Sequence, residues 1–94
     1  MLSSFDQKVA VVDFYAKWCG PCQLMVPVLE KFAAAHADKV AVAKVDTDKY
    51  PSLGSKYEVE GLPTIVFFKD GVEVHREMGV LNEKQLLEKI EPHL

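Results

Sequence analysis

Val9-Ala10-Val11-Val12-Asp13-Phe14-Tyr15 is a β-branched and aromatic run with little polar alternation, the pattern of a strand buried on both faces of a parallel sheet. From Cys19 to about Ala37 the apolar residues Met25, Val28, Leu29 and Phe32 recur at helical spacing, and Pro27, which cannot donate a backbone hydrogen bond, predicts a kink in that helix. A second strand follows at Val40 to Val45. Strand, helix and strand in this order imply a parallel pair with a right-handed crossover, so the turn at Trp18 lies at the carboxyl end of the first strand.

Asp46-Thr47-Asp48-Lys49-Tyr50-Pro51 carries turn and cap chemistry. Leu53 and Tyr57 then give a short helix one apolar stripe, weakened by Gly54. Thr64 to Phe68 and Val72 to Met78 flank Lys69-Asp70-Gly71, whose Asp-Gly pair predicts an antiparallel hairpin. Asn82 and Gln85 have capping-box spacing, Leu81 and Leu86 form a hydrophobic staple, Leu87 and Ile90 continue the stripe, and Pro92 ends the last helix. The expected architecture is α/β: a mixed sheet of about four strands in the order β-α-β-α-β-β-α, helices on both faces, one domain over residues 1–94.

Composition narrows the function classes. A hydrophobic share of 49 % with 27 % charged residues is the profile of a globular core rather than a disordered chain. A formal charge of -3 with no basic stripe gives no footprint for nucleic acid or anionic lipid. Met1 to Asp6 has neither the basic nor the apolar part of a signal peptide, and no apolar run reaches membrane-spanning length. A cytoplasmic protein is expected, a monomer unless an exposed strand edge pairs.

The chain's only two cysteines are three positions apart in Trp18-Cys19-Gly20-Pro21-Cys22, just after the central strand. At i and i+3 of a helical first turn, two side chains share a face about 5–6 Å apart, close enough to bridge and separate without refolding. With Cys19 as N-cap, Pro21 falls in the first turn and Cys22 becomes the third helical residue, its amide facing the Cys19 sulfur. Orphan N–H groups and the helix dipole then favour a thiolate at Cys19, the better nucleophile of the two. Two other readings fit less well. Zinc needs four ligands, and His36, His75 and His93 are scattered. A static disulfide closing so short a loop stabilises little. No metal and no cofactor is expected.

Asp13 sits in the most apolar strand, where burial should raise its pKa; it reads as functional or as a buried polar group satisfied locally. Lys44 on the neighbouring strand either interacts with it or extends to solvent. Pro63 enters a strand at a position that allows a cis bond. Trp18 reads equally as docking surface or core aromatic. The three histidines, spread along the chain, receive no catalytic role.

With these residues in hand the chain resembles thioredoxins, through Val12-Asp13-Phe14, Trp18-Cys19-Gly20-Pro21-Cys22, Pro27, Val42-Ala43-Lys44-Val45-Asp46, Leu62-Pro63-Thr64, Phe68-Lys69-Asp70-Gly71 and Gly79. The resemblance implies a protein-disulfide reductase that donates electrons to disulfide-containing target proteins and is recharged by a thioredoxin reductase. Cys19 matches the attacking cysteine, Cys22 the resolving one, Asp13 the carboxylate that assists proton transfer at Cys22, and Lys44 its modulator. Pro63 matches a cis-proline facing the cysteines. Trp18, Gly20, Pro21, Leu62, Pro63, Gly79 and Val80 match the surface on which substrate chains dock.

Two departures stand out. Family members usually begin with a further strand and helix, whereas only Met1 to Lys8 precede the central strand here. Val40 to Val45 is therefore expected to be an edge strand, blunted by Met1 to Phe5 or by a partner. Tyr15 replaces a common tryptophan, and its hydroxyl is expected to reach toward Asp48. The alternatives to a reductase are an oxidase or isomerase, and a binding module on the same scaffold. Relatives of the oxidising kinds place a histidine between the cysteines, and Gly20-Pro21 has none.

Overall fold

The computed structural model describes residues 9–94. The apolar run forms β1 (Val9–Tyr15), followed by α1 (Gly20–Ala35), β2 (Val40–Asp46), α2 (Pro51–Lys56), β3 (Thr64–Lys69), β4 (Val72–Met78), α3 (Glu83–Ile90) and a 3-10 turn (Glu91–His93). Among the described residues the sheet has four strands in the order β2-β1-β3-β4. β1 runs parallel to β2 and antiparallel to β3, and β3 pairs antiparallel with β4. The expected order and mixed sheet are therefore present. The cover proposed for β2 from Met1 to Phe5 lies outside the described residues.

Because β1 is central, its alternate residues feed two separate cores. Val9 and Val11 join Met25, Leu29 and Phe32 of α1 and Leu86 and Ile90 of α3 on one face. Ala10, Val12 and Phe14 join Val66 and Phe68 on the other, closed by Leu53, Tyr57 and Val59 on and after α2. Tyr57 fills that second core as an aromatic bridge, its ring centroid 5.7 Å from Phe14 and 5.8 Å from Phe68. Tyr57 is half-buried, so it contributes less than the about 1.5–3 kcal/mol of a fully buried side chain. With both faces of β1 covered, its hydrophobic run has no solvent side to spare.

α1 continues through Pro27 and ends at Ala35, two residues short of expectation. His36 caps it, and its carbonyl accepts from Lys39 and Val40 at 3.0 and 2.8 Å, turning the chain into β2. The hairpin turn places Asp70 and Gly71 both at positive φ, 52° and 82°, the conformation whose twist suits a two-residue loop. At α3 both halves of the capping box form: the Asn82 side chain accepts from Gln85 N–H at 2.8 Å, and the Gln85 side chain accepts from Asn82 N–H at 2.9 Å. Leu81 and Leu86 are buried together beside it.

Candidate active site

Cys19 is the N-cap of α1, extended at φ -84° and ψ 114°, and Gly20 and Pro21 are the first two helical residues. The Cys22 N–H donates to Cys19 Sγ at 3.3 Å. Proline is tolerated there because a first-turn N–H has no helical partner. The two sulfurs form a disulfide across a Cα–Cα distance of 5.3 Å, so the sequence spacing does bring them into bonding range.

The two cysteines are not equivalent. Both are largely buried against Ala16, Tyr15 and Leu62, but only Cys19 borders a groove of about 560 Å³. Trp18 and Cys19 line that groove, the continuous run Glu58, Val59, Glu60, Gly61 and Leu62 supplies a wall of it, and Thr47 is also in the lining. Trp18 is 72 % exposed, which decides between its two readings in favour of surface.

The remaining docking candidates differ in exposure. Gly20, Pro21 and Val80 are exposed and Leu62 and Gly79 half-buried. Pro63 is fully buried, so it shapes the wall instead of offering surface. The Leu62–Pro63 bond is cis. Pro63 O accepts the Gly79 N–H at 2.8 Å, which ties the β4 end to the β3 entry, and Gly79 makes that approach at φ 106°, where a side chain is strained.

Asp13 is 1 % exposed, and its Oδ1 has no hydrogen-bond partner among the described residues. Burial pushes its carboxyl up to about 6, and the Lys44 ammonium only partly offsets this. Strand alternation puts Asp13 on the face covered by α1, beyond Val11 toward the end where the cysteines lie. Lys44 is its register partner on β2, is exposed, and holds its Nζ 5.6 Å from the Tyr15 ring centroid. Tyr15 thus contacts Lys44, the residue beside Asp13, in place of the expected approach to Asp48.

The histidines lie away from the cysteine turn in sequence and have other contacts: His36 packs tilted against Phe32 at 4.6 Å, His75 lies 5.7 Å from Phe67 and 3.4 Å from Glu77 Oε2, and the His93 backbone carbonyl accepts from Lys69 Nζ at 2.6 Å. The residues that sequence reasoning misses are the groove wall Glu58 to Gly61 and Thr47. Thr47 donates through both its N–H and its hydroxyl to Tyr15 O, at 2.8 and 3.0 Å. No sequence pattern marks them, because a wall is made by where the chain returns.

The structure thus has a helix-capping cysteine that borders a groove, a buried carboxyl on the central strand and a cis-proline at the entry to β3. The thioredoxin family profile matches residues 2–92. The chain belongs to the thioredoxin family. It is 52 % identical to thioredoxin Y2, chloroplastic, from Arabidopsis thaliana, over all of this chain and 56 % of that one. It is 43 % identical to thioredoxin from Staphylococcus aureus, over 98 % of this chain and 92 % of that one. A solved thioredoxin variant from Halobacterium salinarum NRC-1 superposes with a TM-score of 0.86 at 45 % identity, covering 93 % of this chain and 75 % of that one. The chain spans 52 to 58 % of the length of three plant relatives with chloroplastic names. The four-stranded sheet with its helices is a thioredoxin fold. No helix among the described residues is long and apolar enough to cross a membrane.

Proposed function

We propose that this thioredoxin-family chain, one domain over residues 1–94, is a protein-disulfide reductase. The observation that carries the reading is the asymmetry of the pair: Cys19 Sγ caps the helix and borders the groove, while Cys22 sits one turn inside. Cys19 thiolate attacks a target disulfide, one target sulfur leaves as thiolate, and a mixed disulfide forms on Cys19. Cys22 gives its proton to Asp13, whose carboxyl, with a pKa of about 6, is mostly ionised at neutral pH and able to accept it. The Cys22 thiolate then attacks Cys19 Sγ and releases the second target sulfur. Two electrons pass to the target and the Cys19–Cys22 disulfide remains. Lys44 modulates the step by lowering the carboxyl's proton affinity.

Targets dock on Trp18, Gly20, Pro21, Leu62, Gly79 and Val80, with Pro63 fixing the wall behind Leu62. A thioredoxin reductase restores the dithiol. The protein acts as a monomer and electron donor in the cytoplasm; the plant relatives' names supply a chloroplast as the alternative compartment. Exposed Trp18 beside an uncharged Gly20-Pro21 favours reduction over the oxidase or isomerase reading, since no cation sits between the cysteines to stabilise the reduced form.

The deciding experiment incubates the reduced Cys22→Ser protein with oxidised protein substrates and maps what stays covalently attached. Adducts on Cys19 are expected. Adducts trapped by Cys19→Ser and not by Cys22→Ser would reverse the two roles, and full activity of both serine variants in the cell would favour a binding module.

A further inference from the structure

The Glu58–Leu62 wall of the groove follows directly on a weak element. α2 has six residues with Gly54 inside it, and it ends by placing a non-glycine residue, Glu58, at φ 53°. That conformation closes the helix, with Glu58 N–H bonded to Ser55 O at 3.1 Å and Val59 N–H to Gly54 O at 2.9 Å. A side chain there is strained, so the conformation persists only if its surroundings enforce it.

Arg76, on β4, bonds to this helix end. Its Nη2 donates to Tyr57 O at 2.8 Å and its Nη1 to Glu58 O at 3.4 Å, supplying donors to carbonyls at the helix end that lack helical partners. Its fork is itself held by Glu73, with Nε to Oε2 at 2.7 Å and Nη2 to Oε1 at 2.8 Å. Residues three apart on a regular strand face opposite sides. Here the pairing slips between Phe67 and Phe68, so His75 and Glu73 oppose adjacent residues and Val74 is extra. The bulge turns Glu73 and Arg76 to one side. Two positions beyond Arg76, Met78 leans on the other end of the wall, its Sδ 2.5 Å from where a Cβ on Gly61 would stand.

We propose that Arg76 is a positioning residue for target docking, acting through the Glu58–Leu62 wall that it pins at one end while Met78 supports the other. The proposal rests on the reductase reading above. Arg76 is not among the residues that line the groove beside Cys19 and borders a separate pocket with Glu58 and Glu60, so it should govern recognition of a protein chain and not the reactivity of the sulfurs.

The test compares a protein disulfide, insulin, with the small chromogenic disulfide dithiobis(nitrobenzoate), which needs no wall. Arg76→Gln should raise KM for insulin about fivefold, the cost of fixing about one loosened backbone residue of the wall on docking, with kcat within about twofold. Its rate on the small disulfide should match the unaltered protein. Arg76→Lys, which keeps a cation but no fork, should fall between, and it carries the same test if Arg76→Gln does not fold. An unchanged KM, or equal losses on both substrates, would overturn the proposal. An unaltered protein that reduces neither substrate would instead sink the reductase reading, and Arg76's role with it.

Discussion

Asp13 and Lys44 share one register position on parallel strands, yet Asp13 is 1 % exposed and Lys44 faces solvent. Their charges are therefore unequally screened: the fold withholds water from the carboxylate and leaves the ammonium hydrated. A carboxyl raised from its usual 3.8 to about 6 favours the neutral form in the fold. Its stabilising contribution is complete below about pH 4 and is lost as pH rises through 6, about 3 kcal/mol in all. Urea unfolding of the oxidised protein should show stability falling by up to that amount from pH 4 to pH 8. Asp13→Asn should remove most of this slope and be the more stable protein at pH 8. Parallel pH profiles for the two proteins would show that Asp13 does not titrate as described.

Lys44 lowers the carboxyl's proton affinity by charge alone, since its ammonium is engaged over the Tyr15 ring. Lys44→Met should therefore move the Asp13 titration to higher pH, read directly by carbon NMR of the carboxyl. Less Asp13 is then ionised at pH 7, and the release of target from the mixed disulfide should slow at that pH and recover at pH 9. A titration that stays in place would show that the ammonium is too well screened to matter.

The Asn82 cap is independent of this chemistry. Asn82→Ala removes the side-chain acceptor of Gln85 N–H, while the backbone N–H that donates to Gln85 Oε1 remains. The expected loss is about 1 kcal/mol, a drop in Tm of about 4–8 °C for a domain of this size. Thermal unfolding by circular dichroism measures it, and disulfide reduction at 25 °C should be unaffected.

These residues also show what a sequence can carry. The strand β1, the capping box at Asn82, the Asp70-Gly71 turn and the cysteine pair each follow from a few neighbouring residues, because periodicity and cap chemistry act within one or two turns of chain. Asp13 announces itself by being a charge inside an apolar strand. The groove wall does not. Glu58 to Leu62 meets distant partners only where β4 returns, with Arg76 about eighteen residues after Glu58 re-aimed by a bulge and Met78 against Gly61, and neither the bulge nor the positive φ of Glu58 has a local signature. Trp18 is ambiguous in sequence for the same reason: whether an aromatic beside the cysteines is covered depends on what packs over it.

Two glycines make opposite predictions that separate helix propensity from backbone strain. Gly54 lies inside α2, and a Cβ there would meet Thr47 Cγ2 at 3.6 Å, an ordinary contact. Gly54→Ala should stabilise the protein by about 0.5–1 kcal/mol through helix propensity and a less flexible unfolded chain. Gly79 has open space around its Cα, with nothing within 4 Å of the place an alanine methyl would take, but its φ is 106°. Gly79→Ala should cost about 1–3 kcal/mol although nothing collides. If the backbone relaxes to avoid that cost, the Gly79 N–H must leave Pro63 O, 2.8 Å away, and the proposed docking face moves with it. Chemical denaturation orders the two variants, and hydrogen exchange at Gly79 distinguishes strain held in place from strain released. A Gly79→Ala protein as stable as the parent, with that amide still protected, would show that the turn tolerates a side chain.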